Sequence, residues 1–140
     1  MGGGLTFGTP AIMFTNCDPA VAGTPIEQSS TERAVYRDLV TSTRGSVIVF
    51  EVDAEVLGVI ASSYVSAIRY GGEYARLEEL IVDDKARGTR AGMALPKAAI
   101  AEARRRGCSL VTLYSRETTR AFYEKAGFCY AGPELHRATD

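Results

Sequence analysis

Apolar residues recur along this chain first at helical spacing and then at strand spacing. Val35, Tyr36, Leu39 and Val40 lie at i, i+1, i+4 and i+5, which puts an apolar stripe on one face of a helix running to about residue 43. Ser29-Ser30-Thr31-Glu32 ahead of it has the spacing of a capping box, and Gly45 stops it. Residues 46–52 (SVIVFEV) are rich in β-branched side chains and read as a strand. Asp53-Ala54-Glu55 makes a tight connection to a second strand over 56–68. The pair predicts a hairpin in which Gly58 relieves crowding or marks a bulge. Gly71-Gly72 makes the next turn, and 74–82 (YARLEELIV) reads as the third strand of an antiparallel meander. Beyond a polar loop over 83–89, Gly92, Met93, Pro96, Ala99, Ile100 and Ala103 share one side of a helix over 90–106. Pro96 removes an N–H from that helix and predicts a kink in its first turns. Arg104, Arg105 and Arg106 complement the negative end of the helix dipole before Gly107 ends it. A short strand over 110–114 and a short helix over 117–125, closed by Gly127, follow. Residues 128–130 begin a final strand.

The first 28 residues are poorly defined, because Gly2, Gly3, Gly4, Pro10, Pro19, Gly23 and Pro25 interrupt every rhythm. A short strand over 11–14 and a loose leader fit them equally. The remaining order (helix, three strands, helix, strand, helix, strand) has no repeat or linker, so residues 1–140 read as a single domain. A length of 140 residues suffices for one core.

Composition removes several function classes. Hydrophobic residues make up 46% and charged residues 24%, with a net charge of -1. This is a globular profile without the basic field that holds nucleic acid or a membrane surface. No apolar run reaches the roughly 18–20 residues of a membrane span, and the N-terminus does not read as a signal peptide. Three cysteines (Cys17, Cys108, Cys129) without paired spacing read as free thiols, which makes the cytoplasm the expected compartment. The one histidine, His136, excludes a multi-histidine metal site, so no metal is expected.

The chemistry concentrates in residues 77–106. A strand ends at Val82, and a loop delivers Arg87-Gly88-Thr89-Arg90-Ala91-Gly92 into a helix start. The first amides of a helix lack internal partners, and the dipole makes that end positive, so it is a ready anion site. Gly88, Ala91 and Gly92 are small enough for phosphate oxygens to reach the backbone, and Arg87 and Arg90 can add charge-assisted hydrogen bonds. No Gly-Lys-Ser/Thr follows, so this is not a Walker loop, and strands forming a meander do not suit a Rossmann fingerprint.

Two blocks carry a resemblance. Val82-x4-Arg87-Gly88-x3-Gly92-x2-Leu95 resembles the acetyl-CoA loop of the GNAT N-acetyltransferase superfamily. Ala121-Phe122-Tyr123-Glu124-Lys125-Ala126-Gly127-Phe128 is similar to that family's second hallmark, at the right distance downstream. The resemblance covers about residues 30–130. It implies a mixed α/β (α+β) fold with a mostly antiparallel central sheet, splayed in the middle and flanked by helices. It implies that the backbone of Ile81 and Val82 pairs with the pantetheine arm of acetyl-CoA. Arg87, Gly88, Thr89, Arg90, Ala91, Gly92 and Met93 would hold the pyrophosphate, and Tyr123 would protonate the departing thiolate. The activity implied is direct transfer of acetyl to a primary amine of a small molecule or peptide, and the resemblance also allows a homodimer.

The sequence departs from the family pattern at Arg90, where a glycine is usual, and at Arg116, where an asparagine often contacts the cofactor. A side chain at 90 either crowds the phosphate or bonds to it. Arg116 either binds a CoA phosphate or faces solvent. These departures keep open a non-catalytic acyl-CoA-binding or regulatory module on the same fold, and an interaction domain without CoA. The amine must lose a proton, and a carboxylate can take it. Glu78 and Glu79 on the strand before the loop are the candidates. Strand alternation puts them on opposite faces, so that one alone faces the acceptor, and resemblance favours Glu78. Residues 11–35 and 64–74 would wall the acceptor pocket, with Tyr64, Tyr70 and Tyr74 either lining it or following from strand alternation.

Overall fold

The computed structural model describes residues 4–6, 30–86, 89–133, 135 and 137–138. The expected strand over 11–14, Ser29, Arg87, Gly88 and His136 lie outside the described residues. Helix α1 (Ser30–Thr41) leads into strand β2 (Gly45–Val52), β3 (Glu55–Ala67) and β4 (Gly72–Val82). Helix α2 (Ala91–Arg106), β5 (Val111–Leu113) and α3 (Glu117–Lys125) complete the order. A short β1 (Gly4–Thr6), which the glycine-rich start of the sequence hid, pairs antiparallel with β2. The five-stranded sheet runs in the order β1-β2-β3-β4-β5, antiparallel except for the parallel β4–β5 contact.

Side-chain alternation explains the two layers. Ile48, Phe50, Ile60 and Leu77 point to one face, where they meet Ala91, Leu95 and Ala99 of α2. Val47, Val49, Val59 and Ala61 point to the other, where Tyr36, Leu39 and Val40 of α1 cover them. The β2–β3 turn is two residues long, with Asp53 and Ala54 both left-handed (φ 51° and 63°), as a hairpin matched to strand twist demands. Gly58 fulfils both of its expected roles. The register slips beside it, leaving Leu57 as an extra residue, and a Cβ at Gly58 would lie 2.9 Å from the fully buried Leu95.

One expected element needs correction. Residues 128–130 form no strand: the Phe128 N–H is spent on the Tyr123 carbonyl at 3.1 Å, and Gly132 and Pro133 cut the run short. Helix α2 continues through the buried Pro96, whose missing N–H leaves the Gly92 carbonyl without its helical partner. Tyr64 belongs to the core. Its hydroxyl shares a 2.9 Å hydrogen bond with Ser46, and the Arg106 guanidinium lies 3.9 Å above its ring. Arg106 is thereby more than a dipole complement, since it also bonds Glu73 (3.1 Å) and the Thr43 carbonyl, tying the end of α2 to β4 and to the α1–β2 turn.

Candidate active site

Strand β5 meets β4 only at Ala75, Arg76 and Leu77. From Glu78 to Val82, β4 continues with no strand on that side among the described residues. The sheet is therefore open beside the last residues of β4, which is the splay expected of this fold. Ile81 and Val82 sit in this stretch with their side chains turned to opposite layers, Ile81 towards α1 and Val82 towards α2. That alternation keeps their main chain at the edge of the gap.

The loop after β4 ends in the first turn of α2. The Met93 amide donates to the Arg90 carbonyl at 3.2 Å, and that of Ala94 does so at 2.9 Å. The helix supplies no acceptor for the amides of Ala91 and Gly92, the Arg90 side chain does not cap them, no capping bond to them comes from the other described residues, and the first turn carries no acidic residue. Ala91 is almost fully buried and Gly92 half-buried, and a Cβ at Gly92 would stand 3.7 Å from the Phe122 ring without a clash. Bare amides, a positive dipole end and uncrowded backbone fit an anion of diphosphate type. Thr89 closes the loop, donating from both its amide (3.0 Å) and its hydroxyl to the Ala86 carbonyl.

Arg90 holds a left-handed backbone (φ 66°, ψ 10°), the conformation glycine adopts freely. Its side chain is exposed and does not cap the helix. The departure from glycine thus costs backbone strain and leaves the amides uncovered. We expect Arg90→Gly to raise unfolding stability by about 1 kcal/mol, since a left-handed non-glycine residue costs roughly 1–2 kcal/mol. Chemical denaturation tests this, and an unchanged or lower midpoint would show that residue 90 is not strained.

Helix α3 reaches the same opening through the contact of Phe122 with Gly92. Tyr123 is half-buried, edge-on to Phe122 (centroids 5.0 Å apart) and to Phe128 (5.9 Å). Arg116 precedes the helix with an exposed side chain, and its carbonyl accepts from the Thr119 amide at 3.0 Å.

Glu78 and Glu79 correct the expected alternation. Ala61 of β3 faces Glu79, but the next residue, Ser62, faces Leu77, so Glu78 is an extra residue in β4. Leu77 and Leu80 both pack on the α2 side although they are three apart. The two glutamates between them are both displaced from that side, rather than divided between the faces. The Leu77-x-x-Leu80 spacing, too long by one for a regular strand, was the available sign. Glu78 has both oxygens engaged: Ser63 Oγ donates to Oε1, and Arg76 Nε lies 3.6 Å from Oε2. Glu79 makes no hydrogen bond or ion pair among the described residues. Its carboxyl is open to solvent yet recessed. Desolvation raises its pKa above the usual carboxylate value, and the adjacent Glu78 charge adds to the rise. Ser63 was not singled out from the sequence.

An opened sheet edge, a bare helix start and a tyrosine-bearing helix beside them are the arrangement the two sequence blocks implied. Residues 15–128 match the Acetyltransferase (GNAT) family, and this chain belongs to that family, whose members use acetyl-CoA as donor. It is similar to a probable glucosamine 6-phosphate N-acetyltransferase of Oryza sativa subsp. japonica, at 32% identity over 68 residues. That match covers 49% of this chain and 41% of the rice protein, so the chain aligns with less than half of that relative. Among solved structures, the glucosamine-6-phosphate N-acetyltransferase of Arabidopsis thaliana superposes with a TM-score of 0.71 at 18% identity, over 86% of this chain and 83% of that one. An acetyltransferase of Trypanosoma brucei gives a TM-score of 0.68 at 26% identity, over 79% and 80%.

Proposed function

We propose that this protein is an acetyl-CoA-dependent N-acetyltransferase acting on a primary amine of a small molecule or peptide. The observation that carries the reading is the pair of uncapped amides of Ala91 and Gly92 at the mouth of the opened sheet. Acetyl-CoA supplies an activated thioester when bound. The amides of Ala91 and Gly92 hold its diphosphate, with Arg90 beside them and Arg116 ahead of α3 as the candidate cations, and the free edge of β4 at Ile81 and Val82 receives the pantetheine arm.

Glu79 accepts the proton that the amine must lose. A carboxylate with no competing partner among the described residues and a raised pKa is better suited to that step than Glu78, whose oxygens are both engaged. Tyr123 then donates its phenolic proton to the thiolate. Starting from the ammonium form the nitrogen loses two protons. One goes to Glu79, which releases it to solvent, and the second leaves as the C–S bond breaks and restores the phenol of Tyr123 through solvent, so that the nitrogen ends acylated and the thiol protonated. The proposed setting is the cytoplasm, and the free thiols of Cys108 and Cys129 suit a reducing compartment.

Release of free thiol from acetyl-CoA across a panel of amines tests the reading. The panel includes glucosamine 6-phosphate, on account of the relatives' names, together with diamines and peptide N-termini. Turnover with one acceptor class is expected. Tight CoA binding with no turnover on any amine would favour a binding module on the same fold.

A further inference from the structure

Glu78 is left without a task by the assignment of Glu79 as base, yet it is the more carefully held of the two. The extra residue at position 78 turns both carboxylates off the α2 face. Ser63 projects from β3 on the same side, because it faces Arg76 across the strand pair and lies two residues from Ala61 of the α1-side core. Its hydroxyl donates to Oε1 of Glu78, and Arg76 approaches Oε2 at 3.6 Å. One hydroxyl donor and one guanidinium, from two strands, fix the direction of a carboxylate that is itself about one-third exposed (36%). A surface glutamate with no function does not need such fixing, since an exposed ion pair adds little stability. A carboxylate held by two neighbours beside one with no partner among the described residues is a division of labour: the first holds a cation, and the second takes its proton.

We propose that Glu78 is the fixed anionic contact for the acceptor's ammonium group, and that Ser63, with Arg76, is a positioning residue that aims it. This rests on the functional reading above and extends it to acceptor recognition. The alkylammonium docks against Glu78, and Glu79 removes one of its protons, so that Ser63 acts on acceptor binding through Glu78 without touching the reacting atoms.

The test is steady-state kinetics of Ser63→Ala and Ser63→Thr with the best amine from the panel. Loss of a hydrogen bond to a charged group at a partly exposed site is expected to raise the acceptor KM about five- to tenfold in Ser63→Ala. The same variant should leave kcat within about twofold and the acetyl-CoA KM unchanged, because Ser63 meets neither. Ser63→Thr keeps the hydroxyl and should restore the acceptor KM, which a general packing defect would not allow. An unchanged acceptor KM in Ser63→Ala, a loss confined to kcat, or failure of Ser63→Thr to restore binding each overturns the proposal. The base assignment is read separately: full turnover in Glu79→Gln sinks that assignment and leaves the Ser63 result to be judged alone. Absence of turnover with every amine removes the functional reading and this proposal with it.

Discussion

Tyr123→Phe should lower kcat for acetyl transfer by about 10²- to 10⁴-fold, the span of general acid catalysis, while CoA binds as before. The expectation follows from matched acidities. An unperturbed thiol has a pKa near 8.5 and a phenol one near 10, so tyrosine stays protonated at neutral pH and still gives its proton to a thiolate as the C–S bond breaks. The substitution keeps the ring packing. The ring is held by its edges against Phe122 and Phe128, contacts that phenylalanine keeps. Lost activity with unchanged thermal stability and unchanged CoA affinity therefore reports the hydroxyl alone. Wild-type turnover in the variant would remove Tyr123 from the mechanism.

The second large effect belongs to Glu79. Only the ionised carboxylate can accept a proton, and burial together with the Glu78 charge raises its pKa. Wild-type kcat should therefore fall as pH drops through a value above the usual carboxylate range. Glu79→Gln should lose this limb and about 10²-fold in kcat near neutrality. The deficit should shrink as pH rises, because bulk solvent then delivers the amine already deprotonated. Glu78→Gln removes the like charge, which lowers the Glu79 pKa and moves the acidic limb to lower pH. A deficit in Glu79→Gln that is constant across pH, or a limb that Glu78→Gln leaves in place, would contradict the assignment.

What the sequence displayed, and what it hid, divides along physical lines. The three central strands, α2 and α3 were legible because each must bury one stripe or one face, and burial writes a period into the residues. The bare start of α2 was legible because small residues and a glycine at a helix entrance leave amides uncovered. The bulge at Glu78 was written only in the Leu77-x-x-Leu80 spacing, since the two adjacent glutamates between those leucines carry no apolar period of their own. One extra residue reverses every face assignment beyond it, and here it brought two carboxylates together that alternation had separated. Ser63 escaped notice for a related reason: its role exists only across a strand pair whose register depends on that bulge. Arg90 was seen as an intruder at a glycine position, but only backbone angles show that it keeps glycine's left-handed conformation and so leaves the site open. β1 was hidden because three residues pairing with an edge strand leave no period to read.

All of these roles depend on the amides of Ala91 and Gly92 receiving a diphosphate. Amide chemical-shift perturbation of the isotope-labelled protein on titration with CoA, with pantetheine as the phosphate-free control, measures this directly. The account predicts large shifts at Ala91 and Gly92 with CoA that pantetheine does not reproduce, alongside shifts at Ile81 and Val82 with both ligands. Saturation by CoA with the Ala91 and Gly92 amides unmoved, or the same shifts there from pantetheine alone, would contradict it.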